Sequence, residues 1–205
     1  MLNLKYHYLL ISLLPFIAIH VSLFLSFQND LLIACNPYIE GCYSISKVAR
    51  QPSSIYFFKV LLLISSFLLY FIWEKIFISN LYQTHIFFGK LGSISLIIYI
   101  LALGNDGFIY EFMRRFGVFI FYMTTLYLQS IYTFTQTKLL ALSAHRMIFL
   151  KLLAFLQIMV FVFSLPFFLI IKNDRYIENI IEWWISLTIT IWFFINFIYY
   201  KKNDR

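Results

Sequence analysis

Charged side chains are scarce in this sequence. Asp, Glu, Lys and Arg make up 12% of its 205 residues, against about a quarter in ordinary soluble domains. This scarcity excludes a disordered chain, which needs high charge and low hydrophobicity. It also excludes a nucleic-acid-binding protein, whose affinity depends on many basic contacts with phosphates. We therefore assign no nucleic-acid partner, although the net charge is +7.

Cysteine, histidine and the usual catalytic motifs are also sparse. Two cysteines are too few for a disulfide-dense secreted scaffold. No GxSxG elbow, Walker loop, dinucleotide fingerprint or CxxCH motif is present. The four histidines do not include a pair at i, i+4, the spacing of a helical zinc site. We therefore assign no catalytic residue, no metal and no cofactor from the sequence.

Apolar residues, in contrast, fill most of the chain. They account for 62% of the residues, which is about 127 positions, and six spans of roughly 20 residues would use about 120 of them. The runs are continuous instead of alternating, so they predict helices and not barrel strands. The expected fold is all-α: a single six-helix transmembrane domain covering residues 1–205. The predicted spans are residues 8–27, 55–77, 85–103, 116–134, 148–171 and 180–200.

The charges that flank these spans predict an orientation. With the N-terminus and the C-terminus in the cytoplasm, the cytoplasmic side holds nine basic residues and two acidic ones. The opposite side holds seven of each. The positive-inside rule therefore favours this N-in, C-in topology. We expect a bacterial inner (plasma) membrane protein whose longest loop, residues 29–54, is external.

That loop contains both cysteines of the chain, Cys35 and Cys42. In an oxidising compartment such a pair can form a disulfide that closes a small loop. We predict this disulfide, and the alternative is two free thiols near the membrane surface. Two cysteines alone do not make a zinc site.

The polar residues of the external side are the candidates for ligand binding. They fall in the long loop, in the connection before the fourth span and at the start of the sixth: Glu40, Ser44, Ser46, Arg50, Asp106, Glu111, Arg114, Arg115 and Glu182. Each has a purely structural alternative. Glu111 can form surface pairs with the arginines three and four residues later, the serines can cap or turn the backbone, and Glu182 can be an ordinary carboxylate at a helix N-terminus.

One of the two adjacent arginines could instead turn toward a lipid phosphate. Successive helical residues point about 100° apart, so we do not expect Arg114 and Arg115 to face the same way. The neighbouring Trp183 and Trp184 are expected to form part of an interfacial aromatic belt. His20 is an ionisable residue inside a span, and we expect it to stay neutral and to hydrogen-bond across helices.

Short motifs in these segments resemble a known family. They are Ser44-Ile45-Ser46 with Pro52 and Phe57-Phe58, then Gly104, Gly107, Tyr110 and Arg114-Arg115-Phe116-Gly117, and finally Glu182-Trp183-Trp184. The pattern resembles the Frag, DRAM and Sfk membrane proteins, a group similar to the N-terminal domain of Cwh-type proteins and to the lipid-remodelling factor PGAP. The resemblance implies a six-span protein linked to autophagy, lipid remodelling or signalling, and it carries over no catalytic residue.

From these patterns we expect a non-catalytic protein that binds or senses membrane lipids through its external polar face. An enzyme of lipid or glycolipid remodelling, using an external carboxylate and serine, is the first alternative. A small transporter is the second, and it is disfavoured because every acidic residue lies at or near the end of a predicted span. The sequence does not identify a protein partner.

Overall fold

The computed structural model describes residues 4–77, 83–139, 144–170 and 175–200. These residues form an all-helical bundle, and the described ranges contain no strand. In chain order the helices are α1 (Leu4–Gln28), α2 (Ile45–Ala49), α3 (Ile55–Ile76), α4 (Gln83–Ala102), α5 (Phe108–Leu139), α6 (Ala144–Ile170) and α7 (Arg175–Ile198).

The six long helices form a closed ring. α1 packs on α3, α3 on α4, α4 on α5, α5 on α6 and α6 on α7, and α7 returns to pack on α1. The short helix α2 contacts α1 and α7 at one end of the ring. Because the ring closes through α1 and α7, residues far apart in the sequence share one interior.

Glycines set the distance between α4 and its neighbours. A Cβ at Gly89 would meet the ring of Trp73 on α3, and a Cβ at Gly92 would meet the hydroxyl of Thr124 on α5. In membranes, where the surrounding lipid is as apolar as the side chains, small residues favour helix association because they let backbones approach closely. These glycines therefore explain why α4 packs tightly on both sides.

Within the part of the chain that the structure describes, four helices are long and apolar enough to cross a membrane: α1, α3, α4 and α7. The first three agree with predicted spans to within four residues at each end. α6 contributes a shorter apolar stretch, Ile148–Val160, within the described residues. Some of the predictions concern residues outside what the structure describes. They are the end of the fifth predicted span at 171, the charges at 172, 174, 201, 202, 204 and 205, and the side chains of Lys138, His145 and Arg146.

Several helix boundaries differ from the sequence prediction, among them the end of α5 at Leu139 and not at 134, and the start of α6 at Ala144 and not at 148. α5 begins at Phe108 and not at 116, because the polar segment before the predicted span is itself helical. α7 begins at Arg175 and not at 180. Within the predicted external loop, α2 begins at Ile45, after Ser44 accepts a hydrogen bond from the Lys47 N–H at 3.1 Å. Ser44 is thus an N-cap, the structural role that the sequence left open for it.

Candidate functional site

A narrow cavity of about 50 Å³ lies inside the ring, between α1, α3, α4, α5 and α7. Its lining on α3 runs from Phe58 to Leu69, which corresponds to about 16 Å along a helix axis. Most of the lining is apolar, including Ile11, Leu62, Leu96, Ile189 and Phe193. Ile45 of α2 contributes to the end where Glu182 lies. The cavity is thus elongated and follows the direction of the helices.

Polar side chains gather at the α2 end of this cavity. Glu182 on α7 lies in the lining together with Tyr99 of α4 and Tyr122 of α5. Glu182 lies close enough to both phenols to interact with them electrostatically. The Tyr122 hydroxyl forms a hydrogen bond of 2.6 Å with the hydroxyl of Ser186, one turn after Glu182 on α7. Three helices therefore supply one cluster of hydrogen-bonding groups.

Glu182 also connects the cavity to α2. Its Oε2 accepts a hydrogen bond from the backbone N–H of Ile45 at 3.2 Å. A backbone N–H in the first turn of a helix has no partner within that helix, so the carboxylate satisfies a donor that α2 cannot satisfy itself. The bond holds α2 over the polar end of the cavity.

Two further hydroxyls lie deeper along the cavity. Thr190 of α7 donates to the carbonyl of Leu187 in its own helix at 2.8 Å. Ser65 of α3 is fully buried, lines the cavity, and its Oγ has no hydrogen-bond partner among the described residues. A buried hydroxyl without a partner costs free energy, and a bound water or ligand group in the cavity would supply the missing bond.

The loop before α2 is closed by a disulfide between Cys35 and Cys42, as predicted. The Glu40 carboxylate and the two sulfur atoms lie within 4.8 Å of one another. Sulfurs joined in a disulfide are not the thiolates that metals bind. We therefore interpret Cys35, Cys42 and Glu40 as a disulfide-closed loop and not as a metal centre. Glu40 accepts from the Asn36 N–H at 3.4 Å and belongs to the same small loop.

Three side chains of α7 hold this loop by its carbonyl oxygens. Asn179 donates to Gly41 at 2.7 Å, Trp183 to Tyr43 at 2.8 Å and Trp184 to Tyr38 at 3.1 Å. Gly41 has φ of +61°, and a Cβ there would meet the backbone oxygen of Tyr176. Only glycine allows the loop to lie this close to α7 in that conformation.

The loop is also tied to α1. His20 donates from Nδ1 to the carbonyl of Phe16 at 2.8 Å, which leaves Nε2 of the neutral ring to accept from the Tyr38 hydroxyl at 2.8 Å. Burial raises the pKa of Tyr38 to about 12, so the phenol keeps its proton and remains a donor. His20 was expected to hydrogen-bond across helices, and its partner outside α1 is instead the loop.

The remaining candidates in the first loop and α2 have backbone or cavity-side contacts. Arg50 donates from Nε to the carbonyl of Ser46 at 3.2 Å. The side chain of Ser46 interacts with the phenol of Tyr99, and the charge of Arg50 also acts on Tyr99. Ser46 and Arg50 thus lie near the polar end of the cavity, but neither lines it.

The four candidates around the start of α5 have three different environments. Arg115 and Glu111 form an exposed ion pair at 2.6 Å with i, i+4 spacing, which is the structural alternative considered for this motif. Arg114 does not join this pair and donates to the carbonyl of Ala102, the last residue of α4, at 3.1 Å and to that of Asn105 at 2.6 Å. Asp106 is exposed in the connection between the helices. None of the four lines the cavity.

Two expectations at the start of the last helix are wrong. Glu182 is not a carboxylate at a helix N-terminus, because α7 begins at Arg175 and its first-turn acid is Glu178. Trp183 is not part of an interfacial belt, because it is fully buried and its ring N–H is bonded to the loop. Trp184 is 43% exposed and is compatible with such a belt.

A second buried polar group lies between α5, α6 and α7. Gln157 donates to the side chain of Gln129 at 2.9 Å, and Gln129 donates to the carbonyl of Ile189 at 3.3 Å. One turn further along α5, Thr133 accepts from the ring N–H of Trp192 at 3.0 Å. Such bonds link helices inside a membrane, so this group joins α6 to the rest of the ring.

Sequence reasoning missed most of the cavity. Tyr99, Tyr122, Ser65 and Ser186 lie within long apolar runs, and a hydropathy scan treats them as part of a span. One signal was available, because Glu182, Ser186 and Thr190 follow one another at intervals of four and must share a helix face. That face is the one that lines the cavity.

Comparisons with known proteins identify no relative of this chain. No family model, curated protein or solved structure gives a significant match to the chain.

Proposed function

We propose that this protein binds or senses a membrane lipid, or an amphiphile of similar shape, in the cavity inside the helix ring. The observation that carries the proposal is the distribution of polar groups along the cavity. Glu182, Tyr99 and Tyr122 gather at the α2 end, and apolar side chains line the rest. Ligand sites are mostly apolar with a few converging polar groups, and an amphiphile with one polar end matches this arrangement.

The small volume of the cavity gives binding a structural consequence. About 50 Å³ holds a few water molecules at most, and a lipid chain needs more room. A chain that enters must move side chains such as Phe58, Phe121 or Phe193 and shift the ring toward a wider arrangement. Binding would then favour one conformation over another, which is what a sensor requires.

The experiment is native mass spectrometry of the protein released from nanodiscs made with lipids of the source membrane. We expect a co-purifying lipid on the wild-type protein. Leu62→Phe fills the cavity from α3 and should reduce lipid retention by about tenfold or more, a loss of roughly 1.4 kcal/mol. The matched control is Ile64→Phe on the exposed side of the same helix, which should retain the lipid.

Thermal unfolding separates loss of binding from loss of folding. Leu62→Phe should unfold within a few degrees of the control, because one added ring in an existing cavity has space to occupy. A wild-type protein without bound lipid, or equal retention by both variants, would refute the proposal. No catalytic step is required by this function.

We further propose that all six long helices cross the membrane, with the N-terminus and C-terminus in the cytoplasm and the disulfide loop outside. The Cys35–Cys42 disulfide supports an oxidising external side for that loop. The basic cluster in which Lys75 contacts His7 and Lys90 pairs with Glu74 at 2.5 Å lies near the opposite helix ends and supports a cytoplasmic location there. The membrane is proposed to be the bacterial inner membrane.

Reporter fusions test this topology. A fusion after residue 205 should be active with a cytoplasmic reporter and inactive with a reporter that needs an oxidising compartment. The opposite pattern would contradict the N-in, C-in orientation. Membership of the Frag, DRAM and Sfk group likewise stays a proposal, supported by the motifs in the first loop and at Glu182-Trp183-Trp184.

A further inference from the structure

We infer that the ligand of this cavity carries a hydrogen-bond-donating, non-anionic polar end, an alcohol or an amine, and not a phosphate. The inference rests on the proposed function, since it names the class of amphiphile that the same cavity takes. It differs from the sequence-based expectation that an arginine meets a lipid phosphate.

The first argument is the charge of the lining. Among the described residues that line the cavity there is no Lys or Arg, and the polar lining groups are the Glu182 carboxyl group and hydroxyls. A phosphate in this cavity would therefore have no cation in the described lining to compensate its charge. Burying a charge without an opposite charge beside it is strongly unfavourable.

The second argument is where the nearby arginines direct their donors. Arg114 donates to the carbonyls of Ala102 and Asn105, and Arg50 donates to the carbonyl of Ser46. Both arginines lie close enough to act on Tyr99, but neither contributes to the lining. Arg115 is exposed and paired with Glu111. The cationic groups of this region therefore serve backbone carbonyls and the surface.

The third argument is the hydrogen-bonding capacity that remains in the cavity. One Oε of Glu182 accepts from the Ile45 N–H, and a carboxylate has further lone pairs that can accept. Ser65 Oγ is fully buried and has no partner within the described residues. A carboxylate that can accept more bonds suits a donor, and both alcohols and amines are donors.

The test uses three photo-crosslinking probes with the same alkyl chain and the same diazirine near its end, which carry an alcohol, a primary amine or a phosphate head. Each is incubated with the full-length protein in phosphatidylcholine nanodiscs, and labelled peptides are mapped by mass spectrometry. We expect the alcohol and amine probes to label the cavity-lining segments of α3 and α7. The phosphate probe should label them at least about tenfold less, because its charge has no cationic partner among the described lining residues.

A conservative variant tests whether Glu182 is the cause. Glu182→Gln keeps an acceptor for the Ile45 N–H and removes the carboxyl group that can pair with an ammonium, so the fold should be retained. Labelling by the amine should fall about tenfold with loss of the charge-assisted bond, and labelling by the alcohol and by the phosphate should change little. A merely structural role would lower all three together.

The matched control is Glu178→Gln, one turn earlier on α7 and outside the lining. It should leave the order of the three probes unchanged. Equal or stronger labelling of the cavity by the phosphate probe in the wild type overturns this inference and leaves lipid binding intact. So does a change in Glu178→Gln as large as that in Glu182→Gln. Absence of cavity labelling by all three probes overturns the proposed function as well.

Discussion

Glu182 accepts a hydrogen bond from the backbone N–H of Ile45 at 3.2 Å, across 137 positions of sequence. The bond joins the last described helix to the short helix that lies over the polar end of the cavity. It gives Glu182 two roles, because the same side chain is the only carboxyl group among the described lining residues.

Replacing Glu182 should show how much its hydrogen bond to the Ile45 N–H stabilises the fold. Glu182→Ala leaves the N–H of buried Ile45 without its partner, and an unpaired buried donor costs about 1–3 kcal/mol. Glu182→Gln keeps an acceptor and should cost less. Unfolding in a denaturing detergent titration measures both, and equal losses in the two variants would show that the hydrogen bond does not stabilise α2.

Removing the disulfide should loosen the loop more than the bundle. The Cys35→Ser, Cys42→Ser double variant loses a cross-link with a sequence separation of seven residues, for which loop-closure entropy predicts about 2–3 kcal/mol. Hydrogen exchange should rise in residues 29–44 and stay unchanged in α3 and α4. Reductant should produce the same change in the wild type and no change in the double variant.

The two adjacent tryptophans should respond differently to Phe. Trp183→Phe removes the donor to the Tyr43 carbonyl at a fully buried position, so we expect a loss of about 1–3 kcal/mol. Trp184→Phe removes a longer bond at a position that is 43% exposed, and the loss should stay below about 1 kcal/mol. Thermal unfolding of both variants tests this, and the reverse order would contradict the docking of the loop by Trp183.

The contact between Gln129 and Gln157 is suited to a double-mutant cycle. The variants are Gln129→Leu, Gln157→Leu and their combination. Interhelical hydrogen bonds in membranes contribute about 0.6 kcal/mol on average and up to about 1.7, so we expect a coupling energy in that range. Additive losses in the unfolding free energy would mean that the 2.9 Å bond contributes no stability of its own.

The sequence predicts α1, α3 and α4 closely because their apolar runs are long and end at polar residues. It fails at the start of α5, where Glu111, Arg114 and Arg115 look like a loop by hydropathy. In the structure this segment is helical. One face carries the Glu111–Arg115 pair, and Arg114 caps the end of α4. Charged residues lower the mean hydropathy of a segment but do not prevent it from being helical. A hydropathy scan for spans therefore misses the first turns of α5.

The candidate site is predicted less well than the helices. Glu182 is the one residue among the sequence candidates that lines the cavity. The others were chosen because they are polar and outside the spans, whereas the cavity takes its polar groups from inside them. Which interior faces meet depends on the order of helices in the ring, and no local pattern along the chain encodes that order.

The closure of the ring by α1 against α7 has a consequence for biogenesis. About 150 residues separate the end of α1 from the start of α7, and at 5–20 residues per second their synthesis takes roughly 7–30 s. During that interval the loop carbonyls of Tyr38, Gly41 and Tyr43 lack the side chains of α7 that donate to them in the folded protein. Insertion of α7 therefore completes the interior, the loop contacts and the site in a single late step.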